Sequence, residues 1–224
     1  MIDVAFLNVL EELGSCGTSD VLDRLRLGDR WIDRLGPVTV PGCVAGVAVT
    51  TALEPMLPGE PRPPVHLGAR AIDAADARSV IVMALDGDEA ISGLWGDLLS
   101  LAAQVKGVRA TVVGGRCRDT DAIRELGYPV FATGTIPASA RGRVKEVAVG
   151  VPVEIDGVRI EPGDVIVSDG DGAVVVPAGE VGRVRDTAEA MLAAEAEITA
   201  GIRAGTPLSE ILGAGYESMT QDPS

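Results

Sequence analysis

Two acidic residues and an arginine stand at glycine-containing junctions of this sequence. Asp97 follows Gly96 at the start of an apolar-periodic segment, and 20 residues separate Asp97 from Arg118 in the pair Arg118-Asp119. Gly114-Gly115 precede this pair, and glycines let the backbone come close to a ligand. Carboxylates and a guanidinium that meet there would suit a small carboxylate substrate and a hard metal ion. The spacing therefore predicts a site for a small anion and a divalent cation.

The pair Arg118-Asp119 has two interpretations. Asp119 could simply N-cap a helix predicted over residues 119–126, with Arg118 as a solvated charge, because aspartate is a favoured N-cap. Alternatively, Asp119 is a metal ligand and Arg118 binds a carboxylate or an enolate, because the pair follows a strand end, where α/β folds place their sites. The sequence leaves both interpretations open.

The segment Gly96-Asp97-Leu98-Leu99 also has two interpretations. The helix dipole alone favours an acidic residue in a first turn. The free N–H groups of a helix start can also bind an anion, and Gly96 would permit its close approach. By itself this segment does not distinguish a helix start from a binding site.

The composition restricts the class of protein. The chain has 224 residues, of which 46% are hydrophobic, so we expect one sizeable core, or one domain with an arm. A formal net charge of -14 argues against a nucleic-acid partner, because phosphate binding needs clustered Lys and Arg. No apolar run approaches the roughly 18 residues that cross a membrane, and no basic-then-apolar signal opens the chain. We therefore expect a soluble, cytoplasmic protein without a membrane partner.

The reactive residues exclude several kinds of site. Cys16, Cys43 and Cys117 are odd in number and lack a C-x-x-C spacing, so neither a disulfide framework nor a zinc knuckle is supported. The single histidine, His66, removes histidine-rich metal sites and most Ser-His-Asp schemes, and we assign it no role. Aromatic residues make up 3% of the chain, too few for a base-stacking platform.

The order of predicted elements indicates an α/β protein. The first 30 residues predict helices broken at Gly14 and Gly17, with Thr18-Ser19-Asp20 as an N-cap. Strands and helices alternate from residue 67 to residue 132, and short strands with turns follow from 147 to 176. The latter segment is typical of strands that close a barrel or sandwich. Within the alternating part, a helix over 94–106 is predicted to carry one apolar face, formed by Leu94, Leu98, Leu101, Ala102 and Val105.

The final long element is predicted to be a helix over residues 179–204. Such a helix spans about 39 Å at 1.5 Å per residue, which is more than one small barrel needs. We therefore divide the chain into a catalytic domain, residues 1–178, and a C-terminal arm, residues 179–224, that packs on a neighbouring subunit. Glu195 falls on the apolar stripe of this helix and Glu197 falls off it. A carboxylate on a packing seam is either a device for specific pairing or part of a site shared between subunits.

Two further polar segments are weaker candidates. Asp169-Gly170-Asp171-Gly172 resembles a fragment of a calcium loop but lacks its third acid and terminal Glu, so a hairpin turn is predicted. Arg141, Arg143 and Lys145 form a basic cluster, which we interpret as a solvated loop or as a contact with a phosphate or a subunit.

An ordered set of motifs resembles one family, the class II 4-hydroxy-4-methyl-2-oxoglutarate / 4-carboxy-4-hydroxy-2-oxoadipate aldolases together with the regulator of ribonuclease activity A proteins. The resemblance covers nearly the whole chain. The ordered set of motifs together is more specific than the Asp-x20-Arg-Asp spacing alone. The matching motifs are Thr18-Ser19-Asp20-Val21-Leu22-Asp23, Pro41-Gly42-Cys43, Gly96-Asp97-Leu98-Leu99, Gly114-Gly115-Arg116-Cys117-Arg118-Asp119, Gly127-Tyr128-Pro129-Val130-Phe131-Ala132 and Pro162-Gly163-Asp164.

The resemblance implies a fold, an assembly and a set of site residues. The fold would be an α-β-β-α sandwich around a small β-barrel, similar to phosphohistidine swivelling domains, in a homotrimer or homohexamer with its site between subunits. Asp119 would bind Mg2+ or Mn2+, and Arg118 would hold the substrate and stabilise an enolate. The backbone N–H groups of Gly96 to Leu99 would bind the substrate carboxylate, and Asp97 would position a metal-bound water. A glutamate from the next subunit's arm would complete the site, and Glu195 is the candidate.

The function that the resemblance implies is retro-aldol cleavage of a 4-hydroxy-2-oxo acid to pyruvate and a second carbonyl compound. Decarboxylation of oxaloacetate passes through the same enolate, so it is expected as a side activity or as the main one. A Schiff-base route is not expected, because neither Lys106 nor Lys145 lies at a glycine-flanked site. The alternative from another class is a non-catalytic, protein-binding regulator of a ribonuclease.

Overall fold

The helices of the protein are given by a computed structural model that describes residues 2–86 and 92–212. In these residues they are α1 (Val4–Arg24), α2 (Ala69–Ala74), α3 (Asp97–Lys106), α4 (Thr120–Leu126), α5 (Val181–Arg203) and α6 (Leu208–Ile211), and a 3-10 turn, Ala178–Glu180, precedes α5. In the described part of the chain, no helix is both long and apolar enough to cross a membrane.

The strands fall into one large sheet and one small hairpin. They are β1 (Trp31–Ile32), β2 (Gly36–Pro37), β3 (Val44–Pro55), β4 (Ser79–Leu85), β5 (Gly93–Trp95), β6 (Ala110–Cys117), β7 (Val130–Thr135), β8 (Val144–Val149), β9 (Val153–Ile155), β10 (Val158–Ile160), β11 (Val165–Ser168) and β12 (Ala173–Val176). The large sheet has the order β1-β12-β11-β3-β4-β6-β7-β2, with β5 beside β6 and β8 beside β3. Strands β3, β4, β6 and β7 are mutually parallel, and β5 is parallel to β6.

The large sheet is buried on both of its faces, as the alternating side chains of β4 show. Ile81 and Met83 belong to the apolar cluster under α2, α3 and α4, whereas Val80 and Val82 belong to a cluster with residues of the β9–β10 hairpin. Burial on both faces explains the continuous apolar sequence of this strand. The result is a mixed α/β fold with a curled, half-barrel sheet and a long C-terminal helix, so the predicted fold class is confirmed.

Helix α1 is kinked at one of the two predicted glycines. Gly14 has φ 76° and ψ 178°, whereas helical geometry continues through Gly17. The second half of α1 starts at Ser15, whose backbone N–H and hydroxyl both donate to the Asp169 carboxylate, at 2.7 and 2.6 Å. The N-cap predicted at Thr18-Ser19-Asp20 is therefore wrong, because a residue distant in sequence caps the helix instead. Asp169 belongs to the turn between antiparallel β11 and β12, which confirms the predicted hairpin.

Helix α3 begins later than predicted and packs with a different face. Residues Gly93–Trp95 form β5 rather than the first turn of the helix. The buried side chains of α3 are Ser100 and Ala103, whose small size lets the helix lie close to the sheet. The larger apolar residues of the predicted face, Leu98, Leu101 and Val105, are 70%, 44% and 81% exposed in the single chain.

Helix α5 lies partly in the core of its own chain. Its first half buries Val181, Val184, Ala188 and Met191 in a cluster with residues of α1. Beyond Met191 the helix has no fully buried residue, and Ile202 is 47% exposed. The prediction that the arm packs on a neighbouring subunit therefore applies only to the second half, where it stays a prediction. Residues 213–224 of the predicted arm lie outside the described residues.

Candidate functional site

The candidate site is formed where two neighbouring parallel strands end. Strand β5 pairs with β6 so that Trp95 lies beside Cys117, and the Arg118 N–H donates to the Trp95 carbonyl at 2.9 Å. Helix α3 begins two residues after Trp95, and α4 begins after Asp119. This register places the first turn of α3 next to the pair Arg118-Asp119. Residues 96–99 and 118–119, which are far apart in sequence, therefore form one site, as the spacing predicts.

Arg118 and Asp119 form a two-pronged ion pair. The Arg118 Nε atom donates to Asp119 Oδ2 at 2.9 Å, and Nη2 donates to Oδ1 at 3.2 Å. The two side chains are 33% and 32% exposed. Such a fork-to-carboxylate geometry fixes the planes of both groups. The guanidinium and the carboxylate are thus held at one edge of the site.

Asp119 has an unusual backbone conformation. Its φ of 58° and ψ of 31° lie in the left-handed region, and its side chain makes no capping hydrogen bond to α4. The interpretation of Asp119 as a simple N-cap is therefore wrong. Most non-glycine residues pay roughly 1–2 kcal/mol in this region, aspartate and asparagine pay less, and non-glycine residues held there cluster at functional sites. This conformation turns the carboxylate away from the helix and toward Arg118.

Two glycines leave the space that this pair occupies. A Cβ atom on Gly96 would lie 2.8 Å from Asp119 Oδ2, and one on Gly93 would lie 2.8 Å from both Cβ and Cγ of Arg118. Side chains at either position would overlap the pair. Gly93 and Gly96 therefore serve close approach, the role expected for Gly96 alone.

Replacing Gly93 with alanine should destabilise the protein by about 1–3 kcal/mol, the usual effect of overpacking. The added methyl group would meet the root of the Arg118 side chain, which cannot swing away as a side-chain tip can. Denaturant unfolding measures this effect. Gly182→Ala is the control, because no atom outside the backbone of its own helix lies within 4 Å of its Cβ position. Equal stability of the two variants would contradict the packing argument.

The site opens into a cavity of about 370 Å3. Residues Gly96, Asp97, Leu98, Leu99, Arg118 and Asp119 all line it. Within the first turn of α3, Asp97 Oδ1 accepts the Leu98 N–H at 2.8 Å. The structure thus brings together the predicted residues of this chain except Glu195, and their chemical roles stay predictions.

Glu195 lies on the second half of α5 and does not line the cavity. Its side chain is exposed, as is that of Glu197, so the expected difference in burial between them is absent within one chain. The apolar stripe of α5 does not bury Glu195, because Met191 is the last fully buried residue of this helix.

One wall of the cavity was missed in the sequence. It is formed by His66 and by Ser139, Ala140 and Arg141. The sequence leaves Arg141 as part of a solvated loop or as a contact with a phosphate or a subunit, and it assigns His66 no role. A usable signal exists for Arg141, because its loop follows β7, the parallel neighbour of β6, and loops after adjacent parallel strands meet at one edge. His66 follows a proline-rich loop that carries no such signal.

The acidic residues of the site fit a divalent cation that is shared with a substrate. Asp119 and Asp97 supply carboxylate oxygens, the donors that Mg2+ and Mn2+ prefer. Among the residues that the structure describes, no group of three or more His, Cys, Asp or Glu side chains could hold a metal. This does not conflict with Mg2+, which is commonly held by one or two carboxylates together with water and substrate oxygens.

Cys117 precedes Arg118 in the sequence and is buried, and it does not supply a nucleophile. Its Sγ atom is 3.4 Å from the Trp95 carbonyl oxygen, and burial raises the pKa of the thiol to about 12. The side chain therefore stays a neutral thiol at physiological pH. The acids and arginines remain the candidate reactive groups of the site.

The chain matches the model of a known protein family. The family model described as Aldolase/RraA matches residues 18–175. The chain belongs to the RraA-like family. The names within this family indicate an aldolase or an RraA-type role.

Of the following two relatives, one carries an aldolase name. The chain is 32% identical to Protein DlpA of Legionella pneumophila over 206 residues, which are 91% of this chain and 33% of that protein. It is 36% identical over 114 residues to a Halalkalibacterium halodurans protein named "Putative 4-hydroxy-4-methyl-2-oxoglutarate aldolase", over 50% of this chain and 52% of that protein. The chain thus corresponds to about a third and a half of the lengths of these two relatives.

A solved structure that is similar to this chain carries an RraA name. Streptomyces coelicolor RraAS2, described as an unusual member of the RNase ES inhibitor RraA protein family, matches with a TM-score of 0.73 and 28% identity. The match covers 85% of this chain and 93% of that one. The similarity therefore extends over most of both chains.

Proposed function

We propose that this protein is a divalent-metal-dependent aldolase, a carbon–carbon lyase. Its substrate is a 4-hydroxy-2-oxo acid similar to 4-hydroxy-4-methyl-2-oxoglutarate, which it cleaves to pyruvate and a second carbonyl compound. The observation that carries this proposal is the paired Arg118 and Asp119 beside the first turn of α3 in one cavity. The aldolase name of a relative supports the same reaction.

In this reaction the chain binds the substrate by its 2-oxo acid end. The backbone N–H groups of Gly96 to Leu99 bind the carboxylate, because a helix start attracts anions. The Leu98 N–H, which donates to Asp97 Oδ1 in the free chain, exchanges that bond for one to the substrate. Asp119 would hold Mg2+ or Mn2+, which when bound withdraws electrons from the 2-oxo group as a Lewis acid. Arg118 donates hydrogen bonds to the 2-oxo oxygen, where negative charge develops as the C3–C4 bond breaks.

The proton of the 4-hydroxyl group needs an acceptor. Asp97 positions a water that takes this proton, and Glu195 of a neighbouring copy helps to hold that water. The electron pair of the C3–C4 bond passes to the enolate, and the 4-hydroxyl oxygen becomes the new carbonyl. Protonation of the enolate at C3 then gives pyruvate.

The lysines do not favour a Schiff-base route, because neither lines this cavity. Lys106 donates to the Asp73 carbonyl. Lys145 lies 2.5 Å from Glu60 and 3.8 Å from Glu54, and the hydrogen bond with Glu60 raises the pKa of its ammonium group. A lysine that is held protonated is a poor nucleophile.

The proposal includes a homotrimer or homohexamer with a shared site. Leu98, Leu101 and Val105 expose an apolar face of α3 beside the cavity, and the second half of α5 lies outside its own core. Exposed apolar faces of this kind are typical of protein contacts. The second half of α5 from a neighbouring copy would cover this face and bring Glu195 to the cavity.

Replacing Glu195 with glutamine should lower kcat for pyruvate formation by about 10²-fold, the lower end of what proton-transfer groups contribute. The matched control is Glu197→Gln, which makes the same change two residues away on the same exposed part of α5. Steady-state rates of both variants decide the point. Equal rates would remove the special role of Glu195.

The RraAS2 match favours a second candidate function, that of a non-catalytic, protein-binding regulator of a ribonuclease. A third possibility is an enzyme whose main reaction is decarboxylation of oxaloacetate, since it makes the same enolate. An assay of pyruvate release from 4-hydroxy-4-methyl-2-oxoglutarate and from oxaloacetate separates the three. Our proposal expects release from both substrates with Mg2+ at rates above those without protein, a higher kcat/KM for the aldol substrate, and no protein-dependent release after chelation.

The other outcomes of this assay are equally specific. Release from oxaloacetate alone would make the protein a decarboxylase. Lack of release from both substrates by metal-replete protein would overturn the enzyme proposal and favour the regulator.

A further inference from the structure

The cavity contains a second arginine, Arg141, whose guanidinium is unpaired among the described residues. In the part of the chain that the structure describes, it has no hydrogen-bond or ion-pair partner, and only its backbone N–H is engaged, by Ser139 Oγ at 3.2 Å. By contrast, Arg118 is paired with Asp119, and Arg143 donates to the Ser139 carbonyl at 2.6 Å. A free cation that lines a substrate cavity is available to an anionic ligand.

The loop that carries Arg141 is held firmly against the site. The Gly93 N–H donates to the Ala138 carbonyl at 2.8 Å, which ties the loop to β5. Ala140 is 4% exposed, and its carbonyl accepts the N–H groups of Arg143 and Val144. The backbone is thus fixed while the guanidinium remains unpaired. This arrangement suits a binding group more than a flexible surface charge.

His66 lies at the same end of the cavity. Its Nδ1 atom is 2.8 Å from the Leu67 carbonyl oxygen, which can only accept, so Nδ1 carries a proton. The Nε2 atom remains available for a ligand. His66 and Arg141 also line an adjoining cavity of about 240 Å3, so they stand between the two spaces.

The charges around this adjoining cavity leave the region cationic. The Glu146 carboxylate is already used by the Gly68 N–H at 2.7 Å and by Arg70 at 2.6 Å. Lys145 is occupied by Glu60. Arg141 therefore supplies a positive charge that no described residue pairs with, in a chain whose net charge is -14.

We infer that Arg141, assisted by His66, binds a second carboxylate of the substrate, at the end remote from the 2-oxo acid group. This inference rests on the proposed function and deepens it. Arg118 and α3 hold the reacting end, while Arg141 selects 4-hydroxy-2-oxo dicarboxylic acids over monocarboxylic acids of the same length. Arg141 is then a specificity-determining residue.

Binding of two uncleavable acids tests the inference without catalysis. 2-Oxoglutarate and 2-oxopentanoate have the same carbon chain and lack the 4-hydroxyl group, but only the first has a distal carboxylate. Calorimetry with Mg2+ should show that the full-length protein prefers 2-oxoglutarate, and Arg141→Gln should weaken that binding by about 10- to 100-fold. Binding of 2-oxopentanoate and of oxalate should not change.

The control variant is Arg159→Gln, which removes an arginine on β10 whose side chain is 66% exposed. It should bind both acids as the unaltered protein does. Arg141→Lys should recover part of the lost affinity, since it restores the charge without the planar fork. Unchanged binding of 2-oxoglutarate by Arg141→Gln would overturn the inference, as would an equal loss for both acids.

Turnover separates this inference from the proposed function. The kcat/KM for 4-hydroxy-4-methyl-2-oxoglutarate should fall by about 10- to 100-fold in Arg141→Gln, with no change for 4-hydroxy-2-oxopentanoate. If the unaltered protein cleaves neither acid, the aldolase proposal fails, while the binding experiment still decides the role of Arg141. If it cleaves both and Arg141→Gln keeps the same ratio, only the role of Arg141 fails.

Discussion

Replacing Arg118 with alanine should lower kcat for pyruvate formation by about 10²- to 10³-fold, the usual loss for one donor aimed at a developing oxyanion. The reason is that negative charge on the 2-oxo oxygen arises only as the carbon–carbon bond breaks. An interaction that exists mainly in the transition state changes kcat more than it changes substrate binding. Pyruvate formation measured over a range of substrate concentrations separates the two effects.

Arg116→Ala is the matched control for this variant. Arg116 lies two residues earlier on β6, is exposed and does not line the cavity. Its loss should leave kcat unchanged. A rise in KM with unchanged kcat for Arg118→Ala would show that Arg118 only binds the ground state, which would contradict its role at the oxyanion.

Replacing Asp119 with asparagine should lower metal-dependent turnover by about 10³-fold, because a bound cation supplies several kcal/mol of charge stabilisation. Asparagine tolerates the left-handed conformation of this residue, so the variant removes the charge without straining the backbone. A Mg2+ titration of pyruvate formation measures the effect. The apparent affinity for Mg2+ should fall together with the rate.

Asp119→Ala separates the effect of losing the carboxylate on turnover from the effect of backbone strain on stability. It should be as inactive as Asp119→Asn, but its free energy of unfolding should be lower by about 1 kcal/mol, because alanine is disfavoured at φ 58°. Loss of the ion pair itself should change stability by less than about 1 kcal/mol in both variants, since the pair is a third exposed. Normal Mg2+ dependence in Asp119→Asn would show that the cation is held elsewhere.

The sequence predicts much of this fold because its patterns are local. The apolar run of β4, the stepped apolar residues of α5 and the turn at Asp169 each report their own structure. The errors occur where distant residues decide. Gly93–Trp95 continue the helical periodicity of α3, yet hydrogen bonds to β6 and to Ala138 make them a strand. The first turn after Gly14 takes its cap from Asp169, some 150 residues away.

In the candidate site, too, local patterns could be recognised in the sequence, whereas the effects of distant residues could not. The spacing of Asp97, Arg118 and Asp119 could be recognised because glycines and element ends mark it. The left-handed conformation of Asp119 could not, since only the full packing around Gly96 fixes it. Arg141 was underestimated because its importance depends on where its loop is attached. Glu195 could not be placed from one chain, because its proposed neighbour belongs to another copy.

The attachment of this loop to Gly93 has an evolutionary consequence. Arg118 and Asp119, which are proposed to act on the 2-oxo group, follow β6, whereas the residue proposed to choose the substrate follows β7, and the two segments meet at Gly93. A lineage could therefore exchange the loop after β7 and acquire a different substrate while its bond-breaking apparatus stayed intact. Gly93 would be the position that such divergence has to preserve, since both halves are fitted against it.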